Sequence, residues 1–503
     1  MEWIQSEDLG QLAFHYSMQL HPPYHNIAIL VISIAFNHTI MKVHSSIFTA
    51  SSIFAACLQV SHSFAPVSFT STPSGIANNN ARRSTFSKTS TTTTSSTSLN
   101  VLISEYVQRE VSTMEDWATT YGVQKADGVQ LHSPDNEDYQ VITQAPLSAG
   151  QPVLYVPAHM ILSSTAVSEE FGWTLEEAEM ALVNIDQGQV GRLPLFRLLV
   201  KLLSEIDKAS ESPFDPWLSS LPKTFYNGVS MTDACFECLP PYAAMLAMNE
   251  RNTYSRFLNA LRLGFAPISQ ETINNEKIVK WAYNVALTRF QEVWEPVRQK
   301  KLVPYVDMLN HSSEANCEIT FDAEGNCLVL ALYDIQPGNP LTVSYGDPTN
   351  PTPLFAKYGF LPQDCSTIFC KAMHLEEQIQ DLGYDFNELL FQTETGEIAP
   401  KVWDIFLYKL LQDNDPSAAE TFYIACKIND EDTKSQYHNH YFAYTLDSLK
   451  SHVYTILSDV ERLTMKAQTY DRGAHPRVPV IVAHNNLVRA TFTMTAALLE
   501  QMG

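Results

Sequence analysis

Six consecutive residues, Asp307-Met308-Leu309-Asn310-His311-Ser312, gather a carboxylate, a carboxamide, an imidazole and a hydroxyl behind the apolar lead Leu302-Val303-Pro304-Tyr305-Val306. A tyrosine lies 35 positions after Asn310, in Ser344-Tyr345-Gly346-Asp347. It closes the run Leu341-Thr342-Val343-Ser344-Tyr345, whose alternation puts Leu341, Val343 and Tyr345 on one strand face and turns the phenol inward. Arg289 continues a helical stripe of Ile278, Trp281 and Val285, where a guanidinium is costly unless it finds a partner. A phenol and backbone carbonyls can line up an amine, which is binding and orienting chemistry. No metal ligand set stands out. Cys235-x-x-Cys238 is half of a structural zinc pattern, but no second close pair follows; Cys365 and Cys370 are separated by four residues and lie far along the chain. The eight cysteines, which include Cys57, Cys317, Cys327 and Cys426, are too sparse for a disulfide scaffold and read as reduced thiols near a packed surface.

The elements that must position these groups read as follows. Residues 129–160 are β structure, with the run Val153-Leu154-Tyr155-Val156 stopping at Pro157. Residues 166–300 are mostly helical. Ser168-Glu169-Glu170 and Leu175-Glu176-Glu177-Ala178 read as helix starts with acidic first turns. Arg192 to Ile206, Tyr254 to Leu263 and Ile278 to Val293 are helices, and Pro213 to Pro222 breaks them. Residues 300–362 return to β structure, with a strand over Leu328 to Leu332 and a turn at Asp334-Ile335-Gln336-Pro337-Gly338. After Cys365 the pattern is helical to the end. Val402, Ile405, Phe406 and Leu410 share one helix face, Leu487, Ala490, Met494 and Leu498 another, and Asn429 to Thr433 is an exposed connection. Leu147-Ser148-Ala149-Gly150-Gln151-Pro152-Val153 also parallels Ile335-Gln336-Pro337-Gly338-Asn339-Pro340-Leu341. Two similar β units bracketing helices suggest one β domain with an insertion.

Over about residues 105–362, and more weakly beyond, the chain resembles the SET-domain protein methyltransferases of the Rubisco large-subunit lysine methyltransferase-like group. Asp307 to Ser312, Ser344-Tyr345-Gly346 and Trp217-Leu218-Ser219-Ser220-Leu221-Pro222 carry the resemblance. It implies an α+β fold: a SET-type β domain of short strands with a knot-like crossing, interrupted by a helical insertion, plus a C-terminal all-α domain. The implied parts are 105–165 and 300–362 for the SET domain, 166–299 for the insertion and 363–503 for a helical substrate-binding domain. The implied cofactor is S-adenosyl-L-methionine, held by Asn310, His311 and Arg289. Tyr345 is the implied catalytic tyrosine. Tyr358, in Lys357-Tyr358-Gly359-Phe360, walls the substrate channel, and Asp307 touches the substrate side. The family's Glu-Gly-x-Gly cofactor loop falls on Glu137-Asp138-Tyr139-Gln140. Both glycines are replaced, which removes close backbone approach and easy positive φ; Glu137 and Tyr139 remain as cofactor contacts.

The resemblance implies methylation of a protein lysine, on a stromal substrate such as Rubisco large subunit or aldolase. Two alternatives stand beside it: a binding module that keeps the fold without activity, and methylation of a histidine. No metal is required.

The N-terminal hundred residues read as an address. From Met41 a short basic start and an apolar stretch from Ile47 to Val60 lead to Phe64-Ala65-Pro66, then a Ser/Thr-rich tract with Arg82, Arg83 and Lys88. No acidic residue occurs from Met41 to Ser104. This resembles the bipartite plastid presequences of diatoms and related algae, with residues 1–40 as upstream sequence; the alternative location is cytoplasmic. The formal net charge is −23, and residues 105–503 alone carry −24. Such acidity repels phosphate backbones and gives no expectation of nucleic-acid binding. The expected mature protein is a monomer with no membrane contact, and a protein substrate docks on its C-terminal helices.

Overall fold

The computed structural model describes residues 108–503, apart from 295–297, 348–349, 363–365, 370–372 and 386–387. The expected presequence, residues 1–40, Cys57, Cys365 and Cys370 lie outside the described residues.

Short strands build the β part. Strand β1 is Gln124–Lys125, β2 Val129–His132, β3 Gln140–Thr143, β4 Pro152–Val156 and β5 Leu162–Ser163; β6 Phe290–Val293, β7 Gln299–Leu302, β8 Asn310–His311, β9 Cys317–Phe321, β10 Cys327–Ala331 and β11 Thr342–Val343 follow after the helices. The principal sheet runs β1-β4-β10-β9, antiparallel throughout. Its central strands owe their place to period-two burial: Cys327, Val329 and Ala331 point inward in β10, as Leu154 and Val156 do in β4. The chain halves on either side of the helical insertion therefore share one sheet. The internal echo has a structural counterpart. Leu147 and Ile335 exchange backbone hydrogen bonds of 3.0 and 2.9 Å, and the matching glycines Gly150 and Gly338 both take positive φ, 76° and 88°.

The insertion begins earlier than acidic first turns suggest. Helix Ser164–Phe171 is capped by Ser163, whose hydroxyl accepts from Thr165 N, so Ser168 lies inside it. Helix Trp173–Ile185 follows directly, with Glu176 in its first turn. Helix Leu193–Asp207 buries Leu195, Phe196, Leu198, Leu199, Leu202 and Leu203. The proline-flanked break holds a short helix, Asp215–Ser220. Helix Pro241–Leu263 starts thirteen residues before the expected Tyr254, because a proline is tolerated in a first turn. The expected helix Ile278 to Val293 is corrected: it is Glu276–Arg289, and Phe290–Val293 leaves it as β6, pairing with β7.

The region 300–362 is not all β, since Pro351–Tyr358 is a helix capped by Asn350 and ended by Gly359 at φ 83°. The C-terminal region is helical, through Glu376–Leu382, Pro400–Asn414, Pro416–Ile428, Glu431–Gln468 and Val478–Gln501. It is not all-α, because β12 (Thr367–Phe369) and β13 (Leu390–Gln392) form an antiparallel ribbon. The connection before the long helix is only Asn429 and Asp430. Val402, Ile405 and Phe406 are buried as expected, but the last helix turns a different face inward: Ile481, His484, Asn485, Val488, Phe492 and Leu499 are buried, while Ala490 and Met494 are exposed. Polar residues with internal hydrogen bonds share that face, so apolar spacing alone mislocates it. A third core cluster, including Cys235, Cys238, Phe355 and Ile481, joins the insertion to the C-terminal helices. None of the described helices is long and apolar enough to cross a membrane.

Candidate active site

The apolar lead Leu302 to Val306 is wholly buried, and it ends in a strained residue: Tyr305 holds φ 71°. Such a left-handed conformation costs about 1–3 kcal/mol for a side-chain-bearing residue. The Tyr305 hydroxyl donates to Glu115 at 3.1 Å, and the Lys125 ammonium lies 5.1 Å from its ring centroid. The turn Val306–Met308 then delivers Asn310 and His311 into β8. β8 lies parallel to β11, pairing Asn310 with Thr342 and His311 with Val343. A parallel pair needs a crossover connection, and the segment carrying β9 and β10 supplies it.

This pairing brings Asn310, His311 and Tyr345 together. The Tyr345 backbone N–H donates to His311 Nδ1 at 3.1 Å, and the Tyr345 hydroxyl donates to the Leu309 carbonyl at 2.6 Å. An accepting Nδ1 leaves the proton of a neutral imidazole on Nε2. Tyr358 donates from its hydroxyl to the Tyr345 carbonyl at 3.3 Å, with ring centroids 4.9 Å apart. Phe360 closes the aromatic wall, 5.8 Å from His311 and 6.2 Å from Tyr345. Burial pushes the Tyr345 phenol up to about 12, so it stays protonated at neutral pH and acts as a fixed donor. The strand expected over Leu341 to Tyr345 is shorter, Thr342–Val343, yet Leu341 and Val343 are buried and Tyr345 packs on the same core.

Arg289 finds the partner that its stripe demanded. Its Nη1 donates to the Asp307 carbonyl at 2.7 Å and to Asp307 Oδ2 at 3.1 Å. Trp217 donates its indole N–H to the same Oδ2 at 3.1 Å. Burial raises the Asp307 carboxyl, and Arg289 and Trp217 pull against it. Buried Arg289 Nε and Asp307 Oδ1 have no hydrogen-bond partner, so this pair retains unsatisfied capacity. Arg289, Asp307, Tyr345, Tyr358, Phe290 and Lys357 line a cavity of ≈ 330 Å³.

Glu137 and Tyr139 reach the site through their backbones. Asn310 donates its amide to the Tyr139 carbonyl at 3.4 Å, and Arg109 donates to the Glu137 carbonyl at 2.5 Å. The Glu137 side chain is exposed. The loop replaces glycine freedom by an aspartate turn: Asp135 Oδ1 accepts from Glu137 N at 2.9 Å and Asp138 N at 3.0 Å, and the positive φ moves to Asn136 at 62°. Asparagine tolerates that conformation.

Sequence reasoning missed Arg109. Its guanidinium lies 4.7 Å from the Tyr139 ring centroid, donates to the Ser220 carbonyl at 2.6 Å and reaches Met308 Sδ at 3.4 Å. Burial, and then Arg289, lower its pKa to about 10. It stands just before the helix Val111–Thr120, where no periodicity marks it. Phe360 and Lys357 lie inside a quoted motif but gained no role from it. Trp217 read as part of a break. Among the described residues, no group of three or more His, Cys, Asp or Glu could hold a metal ion.

Residues 138–346 match the SET domain family model. SET domain-containing protein 4 of Artemia parthenogenetica is 23% identical over 231 residues, 44% of this chain and 54% of that protein. SET domain-containing protein 4 of Homo sapiens is 24% identical over 243 residues, 44% of this chain and 51% of that protein. SET domain-containing protein 8 of Schizosaccharomyces pombe is 31% identical over 84 residues, 17% of this chain and 19% of that protein. The chain thus spans about half the length, or less, of the curated relatives it matches. The solved SET domain of LSMT bound to lysine and AdoHcy matches with a TM-score of 0.55 at 13% identity, covering 78% of this chain and 92% of that one. Rubisco LSMT bound to AdoMet matches with a TM-score of 0.52 at 12% identity, covering 79% and 92%. At these identities the structures share the fold.

Proposed function

The chain carries a SET domain, and on that premise we propose that it is an S-adenosylmethionine-dependent protein-lysine N-methyltransferase. The observation that carries this reading is the parallel pairing that sets Asn310 and His311 beside the strand leading to Tyr345, together with the Arg289–Asp307 pair. The residues fit the cofactor. The buried Arg289 Nε lacks an acceptor and suits the carboxylate of its amino-acid end, while Asn310, His311 and the Glu137–Tyr139 loop suit the adenosine side. The bound cofactor supplies an activated methyl on a sulfonium.

The chain's own residues do the positioning. A lysine ammonium, with an ordinary pKa of about 10.4, must lose its proton to water before it can attack. The aromatic wall of Tyr345, Tyr358 and Phe290 disfavours a solvated charge and so favours the neutral amine. Tyr345, fixed by its bond to the Leu309 carbonyl, offers its phenol oxygen to orient that amine.

The substrate we propose is a protein docked on the helical region 363–503, in the plastid stroma, with Rubisco large subunit or aldolase as first candidates. An acidic surface suits a basic protein and disfavours nucleic acid. The enzyme acts as a monomer away from the membrane.

A second reading, a SET-fold binding module with weak or absent activity, is favoured by one observation: Asp135 already occupies the N–H groups of Glu137 and Asp138. Calorimetric titration with S-adenosylmethionine separates the two. Heat and saturation are expected; no heat and no thermal shift sink the enzymatic reading. Radiolabelled methyl transfer into a plastid extract then identifies the substrate, and label on histidine instead of lysine overturns the choice of target.

A further inference from the structure

Lys357 contributes the one amine among the residues that line the Tyr345 cavity. It stands on helix Pro351–Tyr358, directly before Tyr358. Its ammonium lies 4.2 Å from the Phe290 ring centroid and 4.7 Å from that of Tyr358. Among the described residues it has no hydrogen-bond or ion-pair acceptor. Lys300 makes an instructive contrast. Its ammonium lies 3.6 Å from the centroid of the same Phe290 ring, yet keeps Glu292 at 3.1 Å.

These surroundings are those of an alkylated amine. An ammonium held by ring faces alone loses no acceptor when its N–H groups become N–CH₃, and aromatic cages bind methylated lysines in this way. The groups around Lys357 do not hold it charged. Burial first, and then Lys300, lower its basicity to about 8; Glu250 pulls against them, and Arg192 and Glu292 act less, in opposite directions. An amine of that kind is substantially neutral at mildly alkaline pH, as a nucleophile must be.

We propose that Lys357 is a site of self-methylation, modified in cis within the cavity it lines. The inference rests on the reading of this cavity as a methyl-transfer site. The Nζ lone pair forms the new N–C bond while the methyl–sulfur bond of the sulfonium donor breaks, and that bonding pair stays on sulfur as a thioether. The proton released from nitrogen goes to water. A methylated Lys357 keeps its place on Phe290 and Tyr358 and narrows the cavity.

The test incubates the full chain with S-adenosylmethionine bearing a trideuteromethyl group and maps the label by peptide mass spectrometry. Label at Lys357, at a rate independent of protein concentration and absent from K357R, is expected. A rate proportional to concentration overturns methylation in cis. Label on an extract protein with none at Lys357 overturns the proposal and leaves the enzymatic reading intact. Absent label together with absent calorimetric binding fells both. A cofactor-free readout stands beside these: competitive acetylation with acetic anhydride across pH. Lys357 is expected to reach half-maximal reactivity near pH 8, at least tenfold more reactive at that pH than an exposed lysine, and ordinary lysine behaviour contradicts the proposal.

Discussion

The guanidinium of Arg289 and the carboxylate of Asp307 form a buried pair, 3.1 Å apart, with Asp307 1% exposed at its side chain and Arg289 14%. The same guanidinium also accepts no substitute easily, because it donates to the Asp307 backbone carbonyl. Replacing Arg289 by Met leaves a buried carboxylate with Trp217 as its near donor. Loss of one partner of a buried pair costs about 3–5 kcal/mol, so R289M is expected to fall by that order in urea unfolding. The double variant R289M/D307L is expected to recover part of the loss. Additive losses in the double variant would show that the pair does not interact.

Arg109 ties the aspartate-turn loop to the site through the Glu137 carbonyl and the Tyr139 ring. R109A is expected to loosen that loop and weaken S-adenosylmethionine about tenfold by calorimetry, which is about 1.4 kcal/mol. Unchanged affinity would place the loop's support elsewhere.

Gly359 ends the helix that carries Lys357 and Tyr358. A Cβ there would meet the Tyr226 carbonyl carbon at 2.5 Å and Asn227 N at 2.6 Å, at a φ of 83°. G359A is expected to cost about 1–3 kcal/mol from backbone strain alone, with further cost from the clash. A loss below about 0.5 kcal/mol in chemical unfolding would contradict this account.

His484 is buried and His452 half-buried in the C-terminal helices, and desolvation lowers both from the ordinary 6.5 to about 4. His452 packs 5.1 Å from Phe406 and 5.6 Å from His374; His484 packs 4.7 Å from Phe355. A group with a depressed folded pKa contributes stability that is present above its unfolded pKa and lost as pH falls through the folded value. Stability is therefore expected to decline from about pH 6.5 to 4, with up to one proton taken up per histidine. H452F is expected to flatten that decline; an unchanged slope would assign it to other groups.

Much of this was legible in residue order. Asn310, His311, Tyr345, Arg289 and Asp307 were legible because each carries a local signal: an apolar lead, an alternating run or a charge on an apolar stripe. The echo at Leu147 and Ile335 marked segments that pair with each other. What periodicity could not show is contact made across the fold. Arg109 gains its meaning only from Ser220, Glu137 and Met308, far away in sequence. The face of the last helix was misjudged because His484, Asn485, Thr491 and Thr495 are buried polar residues with partners, invisible to an apolar count. The β12–β13 ribbon was missed because its strands are three residues each.

Tyr345 carries the central role in the proposed methyl transfer. Its hydroxyl is fixed on the Leu309 carbonyl and its side chain lines the cavity, so under the proposed function it should orient the attacking amine and contribute little to cofactor affinity. The decisive measurement compares wild type and Y345F for S-adenosylmethionine affinity by calorimetry and for labelled methyl transfer to protein. Transfer lowered about 10²–10³-fold, with affinity changed less than about threefold, is the expected result. Undiminished transfer by Y345F would contradict the account.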